Sequence, residues 1–282
     1  MISGLDHIVV LVRDIAAATA FHETLFGRAP SWRAKADGSA TAMFTFPNMA
    51  LELMAPDGDG AISDRIRAVL DERGEGIASL AFEVDDIAAA HRRLGRVGLQ
   101  PEDIADGASR DVGSGATMSW KRTRTAIDAT NGIRMFFLQR DQRLAASPKN
   151  EDSPVESLDH VVIATPDPER SAALYGARLG LPMALDRTNP DWGTRLMFFY
   201  CGGTVLEVSH RLKEGRGEGP DSIWGLAWRV VDAGAARARL ATSGLDVSEV
   251  RQGRKPGSRV FTVRSGTFGV PTLMIEQGVR AA

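Results

Sequence analysis

The chain is poor in cysteine, in long apolar runs and in net charge, and each shortage closes off a class of explanation. One cysteine, Cys201, in 282 residues excludes an intrachain disulfide and suits a reducing compartment. No stretch approaches the roughly 20 apolar residues that span a bilayer. The opening Met1-Ile2-Ser3-Gly4 lacks the basic segment and apolar core of a secretion signal. Lys and Arg number 34 against 36 Asp and Glu, leaving −2 at pH 7 and a pI near 6.2. No overall field therefore favours nucleic acid or an anionic membrane. These absences lead us to expect a cytoplasmic protein whose partner is a small molecule. A phosphate loop, a paired-cysteine metal motif, a three-glycine dinucleotide fingerprint and a serine nucleophile elbow are all missing too. Cys201 precedes Gly202-Gly203 at an expected hairpin turn, and its setting reads as that of a packed small residue.

What is present is ordinary in bulk and repetitive in detail. Hydrophobic residues make up 43% and charged residues 25%, enough for the cores of about two domains at roughly 150 residues each. Leu5-Asp6-His7 opens one apolar run and Leu158-Asp159-His160 opens another. An acidic turn follows each, at Asp14 and Asp167, and then a helix-like segment. Further on, Leu51-Glu52-Leu53 and Leu206-Glu207-Val208 place a carboxylate inside an apolar strand at nearly the same offset in both halves. Such self-similarity decides the architecture before any single residue does.

Within each half the pattern doubles again. Leu5 to Val12 reads as a strand, Ile15 to Phe26 as an amphipathic helix ended by Gly27, and three strand-like runs follow around Ser31–Ala36, Thr41–Phe46 and Met49–Met54. Ile77 to Val84 then starts a new unit, with Asp86-Ile87 in the place of Asp14-Ile15. The second half repeats this with the His160 strand, a Pro168–Leu179 helix, an Ile223–Val230 strand and an Ala233–Leu240 helix. The polar segment 141–156, with two prolines, reads as a linker between halves at 1–140 and 157–282. The expected fold is α+β, four tandem βαβββ units making two domains with concave mixed sheets.

On these residues the chain resembles the vicinal oxygen chelate superfamily, the fold of glyoxalases, extradiol dioxygenases and bleomycin-resistance proteins. The resemblance implies metal ligands on the first and last strands of each unit, facing the concave side. Those slots hold His7 and Glu52 in unit one, and His160 and Glu207 in unit three. Aligning the units places Ser79 and Phe136 in the slots of unit two, and Gly225 and Leu273 in those of unit four. Each half thus offers one His and one Glu, short of the three protein ligands common at catalytic zinc and of the two-His, one-carboxylate iron triad. Pairing of units one and three, within the chain or across a homodimer, would bring His7, Glu52, His160 and Glu207 into one set.

Strand parity picks out further residues. Glu83 shares the concave face with Ser79 and is a candidate general base; Arg229 shares it with Gly225 and is a candidate anion partner. Trp224 and Trp228 have the opposite parity and are expected against the helices. His210 should point away from Glu207, while His22 and His91 fall on outer helices. The turn from Arg251 to Arg259 carries Arg254, Lys255 and Arg259, a group suited to a carboxylate or phosphate. Lys121-Arg122-Thr123-Arg124 is a looser counterpart in unit two. The resemblance implies a divalent ion (zinc, iron, manganese or nickel), or none, with two functions open. One is a metal-dependent enzyme of glyoxalase-like (lyase or isomerase) or dioxygenase type on a small oxygenated, anionic substrate. The other is a metal-free protein that sequesters a small molecule. A degenerate half serving mainly as scaffold is a third possibility, with Phe136 pointing to the first half.

Overall fold

The computed structural model describes residues 1–143 and 145–278; the last four residues of the expected second domain lie outside them. Each half forms its own eight-stranded sheet. The first contains β1 (Ile2–Leu11), α1 (Ile15–Phe26), β2 (Trp32–Ala36), β3 (Ser39–Thr45), β4 (Ala50–Pro56) and α2 (Ala61–Arg73). It continues with β5 (Gly76–Val84), α3 (Ile87–Arg96), β6 (Ala105–Arg110), β7 (Thr117–Arg124) and β8 (Met135–Arg140). The second half runs β9 (Ser157–Ala164), α4 (Pro168–Ala172), β10 (Met183–Asn189), β11 (Thr194–Cys201) and β12 (Thr204–Arg211). It ends with β13 (Ser222–Arg229), α5 (Ala233–Thr242), β14 (Arg251–Gln252), β15 (Arg259–Val263) and β16 (Thr272–Glu276). Strand orders are β2-β3-β4-β1-β5-β8-β7-β6 and β10-β11-β12-β9-β13-β16-β15-β14. The molecule is α+β, two domains of two units each. Units one and two share one sheet and units three and four the other, so the one-with-three pairing does not occur within the chain.

The acidic turns that marked the repeats are helix caps. The carboxylates of Asp14, Asp86, Asp167 and Asp232 accept hydrogen bonds from first-turn backbone N–H groups of α1, α3, α4 and α5. Gly27 closes α1 in the left-handed region at φ 62°. Past Ala172, α4 widens into a π-helical turn, Ala173–Arg178.

These helices lie between the two sheets, and one continuous core joins the halves. Trp228 of the second half packs on Phe26 and Phe46 of the first, with ring centroids 4.7 and 4.9 Å apart. Guanidiniums bind the joint through backbone carbonyls: buried Arg28 donates to Val155 and Ser147, and half-buried Arg178 to Val97, Gly98 and Ala129. The expected linker is therefore not free. Ser147 and Val155 are buried, and Ser147 exchanges hydrogen bonds with Thr45.

The concave faces differ. In the first half the edge strands meet: Trp32 Nε1 donates to Ser109 Oγ at 2.9 Å, and the Val112 amide donates to the Arg33 carbonyl at 2.8 Å. Inside this near-closed sheet Trp32, Ala34, Met43 and Ala50 form one apolar cluster with Met118. Helix α2, unforeseen from the sequence, forms another, seating Ile66 and Leu70 on Val9, Leu11, Met54 and Ala78. The second half has only a three-residue turn, Leu212–Glu214, after β12, and its concave face stays open.

Candidate functional site

The Leu-Asp-His tripeptides are β-bulges. In β1, Leu5 pairs with Phe82 and His7 with Ala81, leaving Asp6 as the extra residue. In β9, Leu158 pairs with Trp228 and His160 with Ala227, leaving Asp159 extra. A bulge spoils strict alternation, so Asp and His, neighbours in sequence, reach each other. Asp6 Oδ1 lies 2.6 Å from His7 Nδ1, and Asp159 Oδ1 lies 2.8 Å from His160 Nδ1. With Nδ1 held by a carboxylate, Nε2 is the nitrogen that faces the concave side. His7 Nε2 stands 3.4 Å from Glu52 Oε2, and His160 Nε2 stands 3.6 Å from Glu207 Oε2.

The Asp residues of both sites are anchored by different strands. Arg140 of β8 forks onto Asp6 with bonds of 2.6 and 2.7 Å. In the second half Arg229 of β13 donates to Asp159 at 2.9 and 3.2 Å, joined by the amide of Gln277. Burial alone would raise both acids, but their partners outweigh it and hold Asp6 and Asp159 well below the usual carboxylate range. Burial likewise opposes charge on His160, yet the Asp159 hydrogen bond and the Glu207 charge raise its pKa above the usual value.

A cavity of about 1770 Å³ opens over His160 and Glu207. Arg229, Arg254 and Lys255 line it. Its floor is apolar, with Val162, Leu196, Phe198 and Leu273. Arg254 stacks on Trp192 at 4.7 Å, joining the β14–β15 loop to the β10–β11 connection at opposite edges of the sheet.

Other sequence candidates lie elsewhere. Arg259 turns to Glu276 and Asp232, at 2.7 and 3.0 Å, away from the cavity. Glu83 gives both carboxylate oxygens to Arg143. Arg122 lies over Phe136 at 5.5 Å, and Arg124 pairs with Glu102. His210 bonds the Thr165 carbonyl on the far face, as its parity required. His22 is fully buried, hydrogen-bonded to the Ala18 carbonyl, and burial pulls it down to about 4. Cys201 is buried and its thiol is pushed up to about 12, an unreactive setting.

Trp224 requires a correction. It was expected against the helices with Trp228, which is indeed buried there. Instead Trp224 is 55% exposed and lines the cavity. The register slips between Ile223 and Gly225, so Trp224 is the extra residue of a second bulge and parity fails there.

The His–Glu pairs have the spacing of metal ligands. Gaps of 3.4 and 3.6 Å exceed a hydrogen bond but match two donors that each sit about 2.1 Å from a shared cation. Asp159 on the far imidazole nitrogen is the support that metal-bound His residues usually have. The pair therefore fits a divalent ion as two of its ligands. Among the described residues no group of three or more His, Cys, Asp or Glu converges, so further positions fall to water or substrate. Unit four cannot easily supply one. A Cβ on Gly225 would lie 2.6 Å from the Pro271 carbonyl oxygen.

Comparison with known proteins fits this geometry. Residues 5–157 match the glyoxalase-like domain family, and residues 159–262 match the glyoxalase/bleomycin resistance protein/dioxygenase superfamily. The chain is a tandem member of the vicinal oxygen chelate superfamily. An ethylmalonyl-CoA/methylmalonyl-CoA epimerase of Cereibacter sphaeroides is 35% identical over 97 residues, 32% of this chain and 72% of the epimerase. Among solved structures, a variant 4-hydroxymandelate synthase from Streptomyces coelicolor has a TM-score of 0.68 at 16% identity, covering 100% of this chain and 94% of its own. The Mn(II)-bound glyoxalase from Novosphingobium aromaticivorans has a TM-score of 0.67 at 13% identity, covering 99% and 83%. At such identities the two structures speak to fold alone. No helix among the described residues is long and apolar enough to cross a membrane.

Sequence reasoning passed over Asp6 and Asp159, although the repeated Leu-Asp-His held the signal. Gln277, Trp192 and Trp224 had none that parity could read.

Proposed function

We propose that the second domain is the working domain and that it acts on a small oxygenated, anionic substrate by moving a proton next to a carbonyl, the chemistry of an isomerase, epimerase or lyase. The observation that carries this is the contrast between two equal His–Glu pairs. His160 and Glu207 line an open cavity with cations on its wall, while around His7 and Glu52 the concave face is filled by α2 and the Trp32 cluster. The first domain is then a scaffold.

His160 and Glu207 would hold a divalent ion, with Asp159 fixing the tautomer that leaves Nε2 free to bind. Such an ion, when bound, would supply Lewis acidity toward the substrate's oxygens. Arg229 and Lys255 take the anionic end, and Arg229 reaches the site while bonded to Asp159. The apolar floor of Val162, Leu196, Phe198 and Leu273 packs against the carbon part of the substrate. Glu83, held by Arg143 in the first domain, has no part; the Glu207 carboxylate, which lines the cavity, takes the proton from the carbon and returns it. Oxygenation is less well supported, since an iron centre of that kind wants a second His.

The test is deuterium uptake from D2O at the carbon beside the carbonyl, followed by NMR over a panel of 2-oxo and acyl carboxylates. His160→Ala and Glu207→Gln should abolish uptake and His7→Ala should leave it within about threefold, the scale of a remote change. Equal loss in His7→Ala overturns the assignment to one domain. Gly225 and Leu273 in donor slots favour a second reading, a metal-free binder. Tight binding of a panel member without any exchange is its signature.

A further inference from the structure

The two domains also diverge in the first strand of their second units. In β13 the bulge makes Trp224 the extra residue between Ile223, paired with Ile163, and Gly225, paired with Val162. In β5 the same slip, between Ile77 opposite Val10 and Ser79 opposite Val9, makes Ala78 extra. Ala78 lies beneath α2, packed with Ile66 and Leu70. The first domain therefore has a small residue under its own helix where the second presents an indole to an open cavity.

Trp224 is not a lone exposed apolar residue of the kind every surface carries. Tyr200 at 53% exposure and Trp192 at 39% line the same cavity. Trp192 is flanked by Arg187 at 5.6 Å and Arg254 at 4.7 Å. Aromatic faces beside cations suit a ligand that is flat and negatively charged. Position agrees with this. Gly225, Val162 and Glu207 are in register across β13, β9 and β12. With strands about 4.8 Å apart, Trp224 stands about 10 Å from Glu207, one small conjugated molecule away.

We propose that Trp224 is the stacking wall for a planar, conjugated part of the substrate, whose carboxylate is held by Arg229 and Lys255. The substrate class is therefore planar conjugated carboxylates. This rests on the second-domain cavity being the substrate site.

The experiment is calorimetric titration of the full chain with trans-cinnamate, 1-naphthoate and cyclohexanecarboxylate, three acids of equal charge of which the last is puckered. The two planar acids should bind the wild type about tenfold more tightly than the puckered one, a usual return for aromatic stacking. Trp224→Ala should erase that preference, and Trp224→Phe, which guards against a folding artefact, should keep most of it. Arg229→Ala should weaken all three acids alike. Equal affinity of planar and puckered acids for the wild type, or a preference that survives in Trp224→Ala, overturns the stacking role. If those equal affinities still fall in Arg229→Ala, the anion cavity stands and only the stacking inference is lost. If none of the three acids binds the wild type, both are lost.

Discussion

A histidine placed at Gly225 is the obvious way to give the second domain a third donor, and the structure argues that it fails. An ideal Cβ there meets the Pro271 carbonyl oxygen at 2.6 Å and the Pro271 Cβ at 3.1 Å. The oxygen belongs to the backbone and cannot rotate away. It also accepts from the Leu226 amide at 3.0 Å, the first parallel rung between β13 and β16. Relieving the contact means parting those strands. Overpacking of this kind costs roughly 1–3 kcal/mol, and a weakened buried hydrogen bond adds about 1 kcal/mol. Gly225→Ala, which carries only the clash, should lose about 2 kcal/mol in urea unfolding at pH 7.5, within that range. Gly225→His should lose at least as much, and equilibrium dialysis with zinc should show no gain in affinity. A Gly225→His variant of wild-type stability that holds zinc more than tenfold tighter would refute the reasoning. The two-donor site would then be an accident of one substitution rather than a commitment of the backbone.

Stability should fall with acid through His22. Burial lowers its pKa from 6.5 to about 4, so between those values the unfolded chain takes up a proton that the folded chain refuses. Its contribution is complete above pH 6.5 and drains away as pH falls towards 4, about 2 kcal/mol of it between pH 7.5 and 5. His22→Leu, packed beside Phe26 and Phe44, should flatten that part of the urea-stability profile; an unchanged slope would place the proton elsewhere. Asp159→Asn keeps the shape but not the charge behind His160. It should weaken zinc binding by 10- to 100-fold, the usual cost of losing such a support, while Asp6→Asn leaves zinc binding unchanged.

Much of this architecture was legible because its markers are chemical rather than statistical. The Asp caps recur since helix starts need a side-chain acceptor, and matching Asp86 with Asp14 aligns Ser79 with His7; matching Gly132 with Gly203 puts Phe136 in the Glu slot. The sheet register agrees: Val9, two residues past His7, lies opposite Glu52, and Ala81, two residues past Ser79, lies opposite Phe136. Parity then found Arg229 and set His210 aside correctly. It failed at Trp224 because a bulge adds one residue, and nothing in the sequence of β13 announces that. Helix α2 was legible and overlooked: Ile62, Ile66, Val69 and Leu70 have helical spacing, but the repeat led attention to strands. Arg259 was misjudged for another reason. A cation in a turn is free only if no carboxylate faces it, and Glu276 and Asp232 come from distant parts of the chain.

The claim that one of two matching His–Glu pairs is at work rests most directly on metal content per chain. It is measured by elemental analysis of protein purified without chelator and then dialysed against zinc, iron, manganese or nickel. We expect close to one divalent ion per chain in the wild type and in His7→Ala, and none in His160→Ala. An ion lost in His7→Ala but kept in His160→Ala would contradict the account, and so would a wild-type chain that holds no ion under any of these conditions.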